Sequence, residues 1–123
     1  MSDQTIRLSD LRRRIAEFAA AREWEQFHTP KNLSMSIAIE AAELMEHFQW
    51  LSNRDSQAAV EQAERRDEIA DELADVVIYI LELANVMELD VSSAVLKKLA
   101  RNEERFPADE WRGQANGVGP DIK

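Results

Sequence analysis

Glu40 and Glu43 lie three residues apart, and so do Glu72 and Asp75. On a helix that spacing puts both acids of a pair on one face. Each pair borders an apolar stripe. The stripe is Leu33, Ile37, Ala41, Leu44, Phe48 and Leu51 in the first segment, and Ile69, Leu73, Val76, Ile80, Leu83 and Met87 in the second. His47 and Trp50 continue the first flank and Tyr79 the second, whereas Asp71 turns away from Asp75. Packed helix axes sit ~8–10 Å apart, so antiparallel packing along these stripes would bring four carboxylates together. Like charges at that range raise one another's pKa values, and a divalent cation removes the conflict. Only oxygen ligands are on offer, which points to Mg²⁺, with Mn²⁺ as a substitute, rather than zinc. In a chain of 24 acids one such pair says little. Two matched pairs set a metal site against the alternative of a solvated acidic rim.

Two further groups could meet an anionic, ring-bearing ligand. Lys98, Asn102 and Arg105 follow at i, i+4 and i+7 beside the apolar edge Val95, Leu99 and Phe106. Such a ladder can grip phosphate oxygens, Arg as a planar fork and Lys as a point charge. It can equally be a solvated flank whose stems cover apolar surface. The linker REWEQFHTPKN, residues 22–32, holds Trp24, Phe27 and His28. Its aromatics suit a base-stacking wall, or simply staple the linker to the core. No Gly-rich phosphate loop and no nucleophile constellation is present.

Helices must position these groups. Residues 31–106 contain neither Pro nor Gly, so the stretch reads as helices joined by short polar turns. Four are expected. The first runs from about Leu8 to Arg22 with Ser9 as N-cap. The second runs from Pro30 to about Leu51, capped by Thr29. The third begins at Asp55 or later and continues to about Glu88, with a break near Glu64. The fourth follows Asp90 and runs to Arg105, where Pro107 stops it. The expectation is an all-α, four-helix bundle over residues 1–107, with 108–123 a loose tail in which Trp111 alone could dock. The segment VVIYILELANVM carries one charge, Glu82. A helix that apolar belongs in the centre of a bundle or between subunits, and the small size of the chain favours an oligomer.

At 123 residues the chain has the length of one domain. Its net charge of −9 argues against nucleic acid or an anionic membrane as partner. The absence of cysteine excludes thiolate chemistry. The N-terminus lacks the apolar core of a signal peptide, and no apolar run approaches the ~20 residues of a membrane span, so a cytoplasmic location is expected.

Four ordered blocks, REWEQFHTPKNL, EAAELMEHFQW, DELADVVIYILELA and AVLKKLARNEERFP, together resemble the MazG-like all-α nucleoside triphosphate pyrophosphohydrolases, and among them the dCTP pyrophosphatase branch. They cover most of residues 7–107. The resemblance implies a dimer or dimer of dimers that hydrolyses a (deoxy)nucleoside triphosphate, such as dCTP or a modified pyrimidine nucleotide, to monophosphate and pyrophosphate with Mg²⁺. Glu40, Glu43, Glu72 and Asp75 match its metal ligands, and Lys98, Asn102 and Arg105 its phosphate-binding positions. Trp24, Trp50 and Tyr79 match aromatic positions around the base, and His28 and Asn32 lie in the motif leading into the metal helix. Glu43 is the first choice of general base, with Glu46 as helper, and Lys98 and Arg105 would stabilise the departing pyrophosphate. Two positions depart from the branch. Ile15 stands where a base-contacting His is found, and Phe106 where Tyr is usual, which puts cytosine specificity in question. Ala41 and Ala42 stand where the family often has Gly, and remain small. The alternatives are a broad-specificity or dUTP-directed relative, or a non-catalytic helical oligomer.

Overall fold

A computed structural model describes residues 1–114. The chain divides into two compact units, Met1–Leu89 and Asp90–Lys123. The first contains α1 (Leu8–Ala21), a 3-10 turn (Glu25–Phe27), α2 (Pro30–Glu46), α3 (Asn53–Ala59) and α4 (Ala63–Met87). The second contains α5 (Val91–Arg105) and α6 (Ala108–Trp111). The fold is all-α, with no strand among the described residues.

Side-chain caps set most helix starts. Thr29 Oγ1 accepts from Asn32 N at 3.2 Å, and Pro30 supplies the first turn of α2 with a ready-made φ. Ser52 Oγ and Asp90 Oδ2 do the same for α3 and α5, at 3.1 and 2.9 Å. At α1 the N-cap is Arg7 and not Ser9. The Arg7 N–H donates to Asp10 Oδ2 at 3.0 Å, the half of a capping box in which the N3 carboxylate reaches back to the N-cap.

Two expected boundaries move. Helix α2 ends at Glu46, not near Leu51. Beyond it the bonds shorten to i→i−3, with Phe48 N on Met45 O and Leu51 N on Phe48 O, both 2.9 Å. The Arg65 guanidinium donates to the freed His47 carbonyl at 3.2 Å. The expected third helix is two, α3 and α4, with the interruption at residues 60–62, close to the break read near Glu64. Turn bonds from Glu61 N to Ala58 O and Gln62 N to Ala59 O replace helical ones there. Past Pro107, Ala108–Trp111 is helical, and Trp111 meets Phe106 edge-on with ring centroids 5.0 Å apart. The rest of the expected tail, from residue 115, lies outside the described residues.

Helices α1 and α4 end in the same way. Glu23 (φ 55°) and Glu88 (φ 52°) occupy the left-handed region. Trp24 N reaches back to Ala19 O at 3.0 Å, and Leu89 N to Ala84 O at 2.9 Å. This is a Schellman closure built without the usual glycine. It folds Trp24 back toward the end of α1, where its ring meets Phe18 at 5.6 Å.

Helix α4 packs on both α2 and α1. Residues 28, 40 and 47 lie against 82, 72 and 65 respectively, so α2 and α4 run antiparallel. Among the described residues the buried hydrophobic ones are Ala19, Leu33, Ala59, Leu81 and Ala84. The apolar run of α4 is not enclosed within the first unit: Leu73 is 52% exposed, and Val77, Ile78 and Ile80 are exposed as well.

Candidate active site

The antiparallel pairing of α2 with α4 carries the acids together in mid-helix, where the backbone is held by its own hydrogen bonds. Glu40, Glu43 and Glu72 each present a carboxylate oxygen within 4.8 Å of the others. At that distance two unit charges repel by about 1 kcal/mol in a water-like medium and by about 3–4 kcal/mol at an effective dielectric of 20. The protein supplies no relief at the inner atoms. Glu40 Oε2 and Glu72 Oε2 are buried and find no hydrogen-bond partner among the described residues. Burial is the first cause pushing the Glu40 carboxyl up to about 7, followed by Glu43, Asp75 and Glu72. Glu72 is raised too, by burial first and then by Glu43. Buried, mutually repelling, acceptor-only oxygens fit a hard divalent cation. The donor set therefore suits the metal that the spacing called for.

Asp75 stands outside the trio of closest oxygens but adds to the field on both Glu40 and Glu72. It also borders a cavity of about 180 Å³, where Ile15, Trp24, His28 and Tyr79 from the sequence reading come together beside Glu82. Of the other expected residues, Glu46 is exposed at the last position of α2, outside the trio, and Trp50 is 88% exposed in the turns beyond it. Neither lines this cavity. Asn32 is used locally, its Nδ2 donating to the Phe27 carbonyl at 2.9 Å. Lys98, Asn102 and Arg105 lie on α5 in the second unit, Asn102 half-buried and the Arg105 guanidinium 5.1 Å from the Phe106 ring centre.

One buried group was not assigned a role from the sequence. Glu82, 5% exposed, accepts on one oxygen from Asn85 Nδ2 at 3.3 Å and lies 2.7 Å from His28 Nδ1 through the other. Asn85 in turn bonds the backbone and side chain of Arg12, each at 3.0 Å. The signal was present as the single charge in an apolar run, but its partners lie 54 and 73 residues away from it or its neighbour in sequence.

Mid-helix carboxylates facing one another across an all-α seam define a class, and the chain belongs to the MazG-like family, whose model matches residues 35–118. Within that class it is similar to dCTP pyrophosphatase 1 of Rattus norvegicus, 43% identical over 108 residues, which are 88% of this chain and 64% of the rat protein. The Homo sapiens protein of that name is 43% identical over 101 residues, 82% of this chain and 59% of its own. The chain thus spans a little under two-thirds of the length of these relatives. A pyrophosphatase of Archaeoglobus fulgidus DSM 4304, known from its crystal structure, superposes with a TM-score of 0.78 at 39% identity, covering 87% of this chain and 98% of that one.

Proposed function

We propose that the chain is a metal-dependent nucleoside triphosphate pyrophosphohydrolase acting on dCTP or a modified pyrimidine deoxynucleotide. The carrying observation is the trio Glu40, Glu43 and Glu72, with two buried oxygens that no group among the described residues satisfies. Similarity to proteins named dCTP pyrophosphatase supports the reaction and the base. Glu40, Glu43 and Glu72, with Asp75 beside them, hold Mg²⁺, or Mn²⁺ in its place. Bound there, the ion supplies charge neutralisation for the triphosphate oxygens and a lowered pKa for water. Glu43 takes the proton from the attacking water, with Glu46 as helper. The water oxygen bonds to the α-phosphorus, the bond to the bridging oxygen breaks, and pyrophosphate leaves with that electron pair. Lys98, Asn102 and Arg105 take phosphate oxygens, the two cations countering the charge of the leaving group. Trp24 and Tyr79 flank the base, with Trp50 and Asn32 as further contacts.

The protein acts as a homodimer or homotetramer in the cytoplasm, without nucleic acid or membrane as partner. No helix among the described residues is long and apolar enough to cross a membrane. The oligomer is supported by a groove of about 610 Å³ whose lining includes Leu11, Phe18, Leu73, Val77 and Ile78, all exposed in the single chain. An apolar surface on that scale marks an interaction face.

The test is pyrophosphate release from a panel of canonical and modified nucleotides, with and without Mg²⁺. Glu72→Ala and Asp75→Ala should abolish Mg²⁺-dependent turnover with the oligomer intact. Undiminished release by Asp75→Ala would remove that residue from the site. Undiminished release by Glu72→Ala would sink the site as a whole.

A further inference from the structure

The chain Arg12–Asn85–Glu82–His28 has a fixed polarity. The Arg12 carbonyl can only accept and its Nε–H can only donate. Both contact the Asn85 amide, so Nδ2 of Asn85 faces that carbonyl and Oδ1 faces Nε; the amide cannot be flipped. The same Nδ2 donates to Glu82 Oε1, which leaves Glu82 Oε2 as an acceptor for His28 at 2.7 Å. With Glu82 as the carboxylate, His28 donates to it from Nδ1. A neutral ring protonated at Nδ1 presents Nε2 as a bare acceptor.

His28 lines the cavity shared by Trp24, Asp75 and Tyr79. Nε2 has no protein partner among the described residues. Of the other side chains there, Ile15 has no polar atom, Trp24 can only donate, the Tyr79 hydroxyl can donate or accept and so does not discriminate, and Asp75 belongs to the field of the carboxylate cluster. We infer that His28 Nε2 accepts a hydrogen bond from the exocyclic amine of the substrate base, and that Glu82 is the positioning residue that holds the ring proton on Nδ1. The inference rests on the nucleotide reading of the site and says which atom reads the base. A 4-amino pyrimidine donates to Nε2. A 4-oxo pyrimidine brings an acceptor against an acceptor and is rejected.

Two measurements test this. Long-range ¹H–¹⁵N spectra of the wild-type imidazoles at neutral pH should show His28 protonated at Nδ1 only. An Nε2–H tautomer or an imidazolium would overturn the inference, and this readout needs neither a variant nor turnover. The second is kcat/KM for dCTP and dUTP with Mg²⁺, in wild type and Glu82→Gln. Asn85 Nδ2 will hold the glutamine carbonyl, which turns the glutamine NH₂ toward Nδ1 and drives the His28 proton to Nε2. Wild type should prefer dCTP, and in the variant the dCTP:dUTP ratio should fall by roughly tenfold or more. A folded, active variant with an unchanged ratio, or a wild type that prefers dUTP, overturns the role of His28 alone. Release of pyrophosphate from neither nucleotide by wild type overturns the proposed function instead. If Glu82→Gln does not fold, the wild-type spectrum decides.

Discussion

Lowering the pH should stabilise the metal-free protein, contrary to the usual behaviour of an acidic chain whose carboxylates are paired. Glu40 titrates at about 7 in the folded chain against an ordinary 4.5. Between those values the folded state holds a proton that the unfolded state has released. Stability therefore falls as pH rises through that window and levels off above it. The difference between 7 and 4.5 would be worth about 3.4 kcal/mol at 1.36 kcal/mol per unit. Glu40 is partly exposed, so solvent screening reduces this to about 1–2 kcal/mol. The assay is urea unfolding in EDTA at pH 5 and pH 8, for wild type and Glu40→Gln. Wild type should lose about 1–2 kcal/mol more than the variant between the two conditions. Saturating Mg²⁺ should remove most of that difference, because the deprotonated form is then the one bound. Equal losses in EDTA, or a larger loss in the variant, would refute the claim that burial and like charge govern this seam.

Three other outcomes follow from the same geometry. Leu33 is 1% exposed, and Leu33→Ala should cost about 2–5 kcal/mol by chemical denaturation. Glu88→Gly should raise stability by about 0.5–1 kcal/mol, since a left-handed φ strains a side chain and not glycine; a loss would show that the Glu88 side chain makes up for the strain. Val77→Asp, placed on the exposed apolar face of α4, should shift the particle mass by light scattering to that of a monomer while circular dichroism stays helical.

Local signals fixed what was local. The caps Thr29 and Asp90, the pairing of acids at i, i+3 and the break before α4 all depend on neighbours within a turn or two, and all were legible. The carboxylate trio was legible because two helices with matching stripes have one natural way to pack. Ser9 is not the cap because α1 begins one residue earlier, at Leu8, where the Asp10 carboxylate holds the Arg7 N–H. The end of α2 was misread because the stripe continues through Phe48 and Leu51 after the backbone has tightened into turns. Glu82 stayed without a role because its meaning lies in His28 and Arg12, and no periodicity links residues so far apart. Whether the apolar face of α4 would be covered by its own chain was likewise undecided, since hydropathy reports that a surface is apolar and not which molecule meets it.

The carboxylate trio sits entirely within the α2–α3–α4 hairpin, whereas the cavity beside it is completed by α1 and the linker after it. The trio and the cavity thus draw on different stretches of polypeptide that meet at α4, which supplies Glu72 to one and Asp75 and Tyr79 to the other. Ile15, Trp24 and His28 lie outside α2 and α4, the helices that carry Glu40, Glu43 and Glu72. A scaffold arranged in this way offers residues 15–28 as a place to vary the shape of the cavity against the wall that Asp75, Tyr79 and Glu82 of α4 provide.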